Sequence, residues 1–357
     1  METLVKTTRI LIAALLGASM SGLPFGVAHA DGVTGAGSTF AAPLYARWAA
    51  DYLKSGGGKV SYLPTGSTDG MKQVLARAVD FAGSDAPLTD DQLRKAGLRQ
   101  FPTAIGGVVP VVNLPGLKAG ELMLTGDVLA DIFLGKIQYW DDPAIARLNP
   151  KLKMPDTPIA VVRRLDGSGT TLIWTHYLAQ VNPEWKRRVG EGTSVHWPLG
   201  IGGKGNEGVA TFVGYLPGAI GYIAWDFTKH NRLTYTAMTN AAGAVVEPGA
   251  ASFNAAAANA DWSGSLDQVL TNQPGKEAWP VMGATYVLLG TTPAKPGRDK
   301  ETLKFFDWAL THGETTIQAL DYVPLPGAVV AKIRAQWHDG ETRNADDNSA
   351  RKSIAGQ

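Results

Sequence analysis

A buried strand that must become a helix within a few residues constrains this chain more than any other stretch. Ile159 to Val162 is apolar, Arg163-Arg164-Leu165-Asp166-Gly167-Ser168-Gly169 is polar and broken by glycine, and Leu172, Ile173, Trp174, Tyr177 and Leu178 recur at helical spacing. A helix start presents backbone N–H groups with no internal partner, and its aligned peptide dipoles make it locally positive. Ser168 and Thr170 add hydroxyls, Gly167 and Gly169 permit close backbone approach, and Arg164 brings a forked cation. Two readings follow. The stretch is a site for a tetrahedral oxyanion, or Ser168 simply caps the helix while Arg164 pairs with Asp166.

The rest of the chain repeats the pattern. Phe40, Leu44, Trp48 and Tyr52 define a helix with Ser38 or Thr39 at its cap, after a short lead of small residues over 31–38. Lys59 to Leu63 alternates as a strand, Pro64 to Gly70 is a second polar loop before a helix, and Phe81 to Ser84 is a strand ending at Asp85. Thr89, Thr125 and Asp142 each open a helix, while Trp185-Lys186-Arg187-Arg188 reads as a solvated helix face. Gly200 to Gly205 reads as a flexible loop, Leu233 to Val246 as a hairpin turning at Ala242-Gly243, and Phe253 to Ala260 as an alanine-rich helix. Alternating strands and helices imply an α/β fold with parallel strands. Glycine-containing apolar strands at 105–112 and 279–289 are candidates for crossings between two domains.

Cysteine is absent, which removes disulfides, thiol catalysis and thiolate metal sites. Lys6 and Arg9, the apolar run Ile10–Leu16 and Ala28-His29-Ala30 make residues 1–30 a cleaved signal peptide. Taking Lys6, Arg9 and Glu2 from the 33 basic and 32 acidic residues leaves the two signs equal. A neutral mature chain argues against nucleic acid and against a polybasic membrane contact, so an anion would be held by local dipoles.

Three polar loops, around Thr39, Ser67 and Ser168, each precede a helix, and Asp85 ends a strand. In open α/β sheets such loops gather outside the C-terminal ends of the strands. Gly200-Ile201-Gly202-Gly203-Lys204-Gly205 fits a dinucleotide fingerprint only formally, and no phosphate-loop motif or nucleophile elbow occurs. No histidine pair has metal-ligand spacing, so no metal or cofactor is expected. His176 reads as a partly buried packing residue.

The segments Thr34–Phe40, Gly83–Leu88, Phe101–Val109, Val162–Thr170, Gly202–Asn206 and Leu216–Tyr222 together resemble the periplasmic phosphate-binding protein of the bacterial high-affinity phosphate ABC transporter. The resemblance implies a type II periplasmic-binding-protein fold: two α/β lobes, each a mixed sheet flanked by helices, joined by a two-strand hinge. Residues 31–105 with 283–357 would form one lobe and 106–282 the other. It implies phosphate contacts from Thr39, Phe40 (through its N–H), Ser67, Asp85, Arg164, Ser168, Gly169 and Thr170, with Asp166 orienting Arg164. Asp85 would accept the proton that phosphate carries and sulfate lacks. It also implies a monomer in the periplasm, delivering phosphate to membrane permease subunits served by an ATPase. Gly66-Ser67-Thr68-Asp69-Gly70 departs from the family's serine- and glycine-rich run by the Asp69 carboxylate. The alternatives are a binding protein for another oxyanion, a secreted phosphatase-like hydrolase, and an adhesive or signalling role.

Overall fold

Val33–Gly37 forms a strand (β1) although two of its five residues are glycine. Neighbours leave no room for side chains: a Cβ on Gly35 would lie 2.2 Å from the Phe81 ring, and one on Gly37 2.2 Å from the Gly83 carbonyl oxygen. What read as a lead is therefore an inner strand, missed because glycine depresses strand propensity. The computed structural model describes residues 32–293 and 295–337, so the expected signal peptide lies outside the described residues.

Helix α1 (Ala42–Lys54) buries Leu44, Tyr45, Trp48 and Ala49. Ser38 does not cap it directly; its Oγ accepts the Ala41 N–H at 3.1 Å, one turn before the helix proper. Strand β2 (Val60–Leu63), helix α2 (Ser67–Leu75), strand β3 (Phe81–Ser84) and helix α3 (Asp90–Ala96) follow. Thr89 and Gln92 form a capping box at the start of α3. Strand β4 then runs unbroken through Leu98–Val112. Next come β5 (Met123–Leu124), α4 (Gly126–Phe133) capped by Thr125, and α5 (Pro143–Leu148) capped by Asp142. Strand β6 (Ala160–Arg164) leads into α6 (Gly169–Val181), and α7 (Pro183–Arg188) follows. Trp185 corrects the solvated-face reading of α7: its indole is fully buried while Lys186, Arg187 and Arg188 are exposed.

The glycine-rich stretch is strand β7 (Ile201–Gly203) running into α8 (Gly205–Tyr215), not a flexible loop. Gly203 is required because a Cβ there would meet Gly208 and Val209 backbone at 2.6 Å. Then come β8 (Ala219–Ala224), α9 (Trp225–His230), β9 (Thr234–Tyr235), β10 (Ala237–Thr239) and β11 (Val245–Val246). The hairpin is β10 with β11; β9 pairs instead with β4. Helix α10 (Ala250–Ala257), strand β12 (Met282–Gly290), α11 (Arg298–His312), α12 (Glu314–Ala319) and a helix over 327–337 complete the described chain.

The main sheet has the order β2-β1-β3-β12-β4-β8-β6-β7. Its outer pairs β1/β2, β1/β3, β6/β7 and β6/β8 are parallel, while β12 runs antiparallel to β3 and β4, and β8 antiparallel to β4. The sheet is thus mixed. Along β4, Leu98 to Gly107 pair with β12 and Val108 to Val112 with β8. The loops after β1, β3 and β6 all leave the C-terminal ends of parallel strands, the place where open α/β sheets gather ligand groups.

Candidate functional site

Five separated segments, following β1, β2, β3, β6 and β7, meet here, and hydrogen bonds link them in a ring. Ser38 Oγ donates to Asp85 Oδ1 at 2.6 Å, and the Asp85 N–H donates to Ser67 Oγ at 3.3 Å. Ser67 Oγ also accepts the Gly169 N–H at 3.0 Å. Beside Gly169, Thr170 Oγ1 accepts from Asn206 Nδ2 at 3.5 Å, and the same amide donates to Thr39 Oγ1 at 2.8 Å, closing the ring at Ser38's neighbour. Ser38, Thr39, Phe40, Ser67, Asp85, Arg164, Ser168, Thr170 and Asn206 are all buried.

Both readings of the central stretch hold at once. Ser168 Oγ caps α6 by accepting the Thr171 N–H at 3.1 Å. Asp166 binds the Arg164 fork through Nε at 2.9 Å and Nη2 at 2.5 Å, which leaves Nη1 to reach Thr170 Oγ1 at 3.3 Å. Asp166 is further fixed by the Gly205 N–H at 2.9 Å. Burial pushes its carboxyl up, but the Arg164 hydrogen bonds and charge outweigh that and hold it below the usual carboxylate value. Tyr222 braces the strand end from behind: its hydroxyl accepts the Arg164 N–H at 3.2 Å and shares a 2.8 Å bond with Thr171.

Counting lone pairs shows what the site has left to offer. Thr39 Oγ1 accepts from the N–H and the Nδ2 of Asn206, Ser67 Oγ accepts from Asp85 and Gly169, and Thr170 Oγ1 accepts from Arg164 and Asn206. A hydroxyl has two acceptor sites and one proton, so each of these three keeps only its proton to give. The N–H groups of Thr39, Phe40, Ser67 and Thr170 donate to no protein acceptor among the described residues. Against these donors stands a carboxylate oxygen, Asp85 Oδ2, which receives no protein hydrogen bond among the described residues. Burial raises the Asp85 carboxyl to about 6, with Ser38, Thr285, Arg164 and Ser67 pulling it back.

Glycine geometry makes the ring tight. A Cβ on Gly169 would sit 2.5 Å from Asp85 Cβ, and one on Gly66, whose φ is +102°, 2.5 Å from Asp166 Oδ2. Asp69 is exposed and accepts from Gln73 Nε2 at 2.6 Å, so the extra carboxylate serves the first turn of α2. His176 is the half-buried packing residue expected, with Nδ1 2.6 Å from Thr271 Oγ1.

The chain matches the sequence profile of the PBP superfamily domain over residues 25–312. It is 49% identical over 320 residues to the phosphate-binding protein PstS of Pasteurella multocida, covering 89% of this chain and 93% of that one. The chain belongs to the PstS family. PstS of Haemophilus influenzae is 46% identical, with 88% and 94% of the two chains covered. Among solved structures, the periplasmic phosphate-binding protein PfluDING bound with phosphate superposes with a TM-score of 0.68 at 24% identity, over 85% of this chain and 93% of that one. The fold is accordingly the type II periplasmic-binding-protein fold expected from the sequence.

Every residue expected at the PstS site is drawn into or against the ring. Three participants were not expected. Ser38 stood next to Thr39 and Asn206 ended a quoted motif, so both were within sight. Thr285 lies in an apolar strand and carries no local signal, because only the β12 register brings it to Asp85.

Proposed function

We propose that this chain captures inorganic phosphate in the ring formed by Thr39, Phe40, Ser67, Asp85, Arg164, Ser168, Gly169 and Thr170, and hands it to the permease of a phosphate-import ABC transporter. It is a binding protein rather than an enzyme, in keeping with its family. The observation that carries the reading is the imbalance of free hydrogen-bonding capacity: hydroxyls and amides with protons to give, an anchored guanidinium, and one carboxylate oxygen, Asp85 Oδ2, that receives no protein hydrogen bond among the described residues. A protonated tetrahedral oxyanion has the complementary inventory, many acceptors and one proton. Sulfate would set a lone pair against the Asp85 carboxylate, and a site built around a required hydrogen bond rejects the analogue lacking it by about 10⁴–10⁵.

Three helix starts supply the field without net charge. Asp166 keeps the guanidinium planar to the ion by holding two of its nitrogens, which favours charge-assisted bonds. The lobes are assigned as 31–105 with 283–357, and 106–282, with β4 and the segment entering β12 as the hinge. Supporting this, β4 changes partner from β12 to β8 between Gly107 and Val108. Closure of the lobes would exclude water and strengthen each bond. The working place is the periplasm, reached by the signal peptide of residues 1–30, and the working form a monomer.

Calorimetric titration of the chain from residue 31 with phosphate, arsenate and sulfate tests the proposal. Phosphate and arsenate should bind one ion and compete, and sulfate should not displace them at neutral pH. A chain that ignores phosphate, or that takes sulfate equally well, overturns it.

A further inference from the structure

Two hydroxyls reach the same oxygen of Asp85. Ser38 Oγ donates to Oδ1 at 2.6 Å and Thr285 Oγ1 donates to it at 2.8 Å. Ser38 gives its proton there, because an ionised carboxylate has none to give, and its oxygen accepts the Ala41 N–H. Thr285 arrives from β12 through a local irregularity. The register runs Thr285 opposite Ala104, then Tyr286 opposite Pro102, so Thr103 is the extra residue of a bulge. Pro102 has no N–H for the ladder, and a bulge is where a strand accommodates proline. Thr103 Oγ1 donates to the Thr285 carbonyl at 3.2 Å and shares a 2.8 Å bond with the Tyr45 hydroxyl. Thr285 is thus pinned by its own main chain, wholly buried, with its one proton committed to Asp85.

We infer that Thr285, set by the Pro102–Thr103 bulge, is a positioning residue that keeps Asp85 ionised, turns Oδ2 toward the ligand, and so fixes the pH above which sulfate is refused. This rests on the phosphate reading of the site. Hydrogen bonds donated to a carboxylate favour its charged form, while burial favours the neutral acid. The other groups facing Asp85 are the Arg164 cation from β6, the Ser67 hydroxyl from α2, and the phenols Tyr45 from α1, Tyr62 from β2 and Tyr322 after α12. Burial holds those phenols above their ordinary values, so they are neutral throughout the working range. Arg164 is the one cation in this set, and it is shared with Asp166. Losing the Thr285 donor therefore moves Asp85 toward its acid. A protonated Asp85 can donate to the ion, and sulfate then finds a partner where it had met only lone pairs.

The test compares the unaltered protein with Thr285→Val and Thr285→Ser, using phosphate and sulfate titrations from pH 5 to 9 and the infrared band of the protonated Asp85 carboxyl, identified by its loss in Asp85→Asn. In the unaltered protein, sulfate binding and the band should appear together as pH falls through about 6. A hydrogen bond to a charged group is worth tenfold or more, so Thr285→Val should raise both midpoints by about one pH unit. Thr285→Ser, which restores the hydroxyl, should return them. Midpoints unmoved in Thr285→Val, or moved equally in Thr285→Ser, overturn the inference. If Thr285→Val does not fold, Thr285→Ala takes its place in the same comparison. Failure of the unaltered protein to bind phosphate at any pH would instead sink the phosphate reading, and the infrared midpoints would still decide the role of Thr285.

Discussion

The Gly169 N–H donates to Ser67 Oγ at 3.0 Å, a bond between the first turn of α6 and the first turn of α2 across 102 residues of sequence. Two helix starts therefore meet head to head. Their positive ends would repel unless something negative lay between or beside them. Two carboxylates stand beside that meeting point: Asp85, whose N–H also points to Ser67 Oγ, and Asp166, whose Oδ2 lies against Gly66. The same contact makes several substitutions diagnostic.

Gly169→Ala should weaken phosphate binding by roughly 1–3 kcal/mol, the usual cost of forcing extra volume into a filled site. The added methyl would lie 2.5 Å from Asp85 Cβ and 2.7 Å from its Cα, both too close to tolerate without moving the strand end. Calorimetry on a variant shown to be folded by its melting curve reads the effect; wild-type affinity would mean that α6 and β3 separate freely.

Asp85→Asn should bind sulfate better and phosphate worse. It should also change how stability varies with pH. Burial raises the Asp85 carboxyl from 3.8 to about 6, so between those values the folded state holds a proton that the unfolded state has lost. Stability of the unliganded protein should then fall as pH rises from about 4 to about 6, by roughly 3 kcal/mol at 1.36 kcal/mol per pH unit. In Asp85→Asn that slope should be smaller, leaving the share of other carboxyls such as the half-buried Asp226, which burial also raises. Thermal melts across this range check the sign, and equal slopes in both proteins would remove Asp85 as the cause.

Asp166→Asn keeps the shape and removes the charge that pairs with a guanidinium only 1% exposed. Leaving a buried charge without its partner costs about 3–5 kcal/mol. Asp166 is held below its usual value in the fold, so its contribution is present above about pH 4 and is lost on acidification. Melting curves should differ between variant and parent at pH 7, and the difference should shrink as the pH falls below the ordinary carboxylate range.

Asn206→Asp should abolish tight binding. The Ala224 N–H at 3.0 Å marks Oδ1, so the amide nitrogen faces Thr39 and Thr170. Aspartate would keep the Ala224 bond but turn a donor into an acceptor beside the ion. A loss of about hundredfold or more is expected from the unpaired hydrogen-bond partners alone, and a phosphate titration near the parent's would place Asn206 outside the site.

Sodium chloride should alter phosphate affinity little. Removing residues 1–30 leaves equal numbers of basic and acidic side chains, and the Arg164 and Asp85 side chains are buried from the salt. Titration at low and high chloride measures this; a steep salt slope would point to a surface field instead.

Much of this arrangement was legible in the sequence because its parts are local. A strand, a polar loop and an apolar-spaced helix around Ser168 can be read from the one stretch 159–178, and the caps at Thr89, Thr125 and Asp142 likewise. What escaped depends on partners far along the chain. The strand Val33–Gly37 is rich in glycine because Phe81 and Gly83 press on it, and nothing nearby says so. Trp185 looked solvated among three cations, yet its indole donates to the Gly190 carbonyl at 2.9 Å inside the core. Gly200 to Gly205 looked mobile because β7 is an edge strand of three residues, too short to show a period. Thr285 is the extreme case, a single hydroxyl in an apolar run whose meaning comes from a bulge set by Pro102.

Behind the Arg164 strand, the Tyr222 ring lies flat against Trp174, with centroids 5.0 Å apart and planes 7° apart, and a second indole, Trp197, stacks on it at 5.9 Å. The phenol that bonds the Arg164 amide is thus sandwiched between two natural fluorophores. If an ion seated at Arg164 shifts this strand end, emission from the stack should change, so a phosphate titration followed by tryptophan fluorescence would read occupancy without a dye.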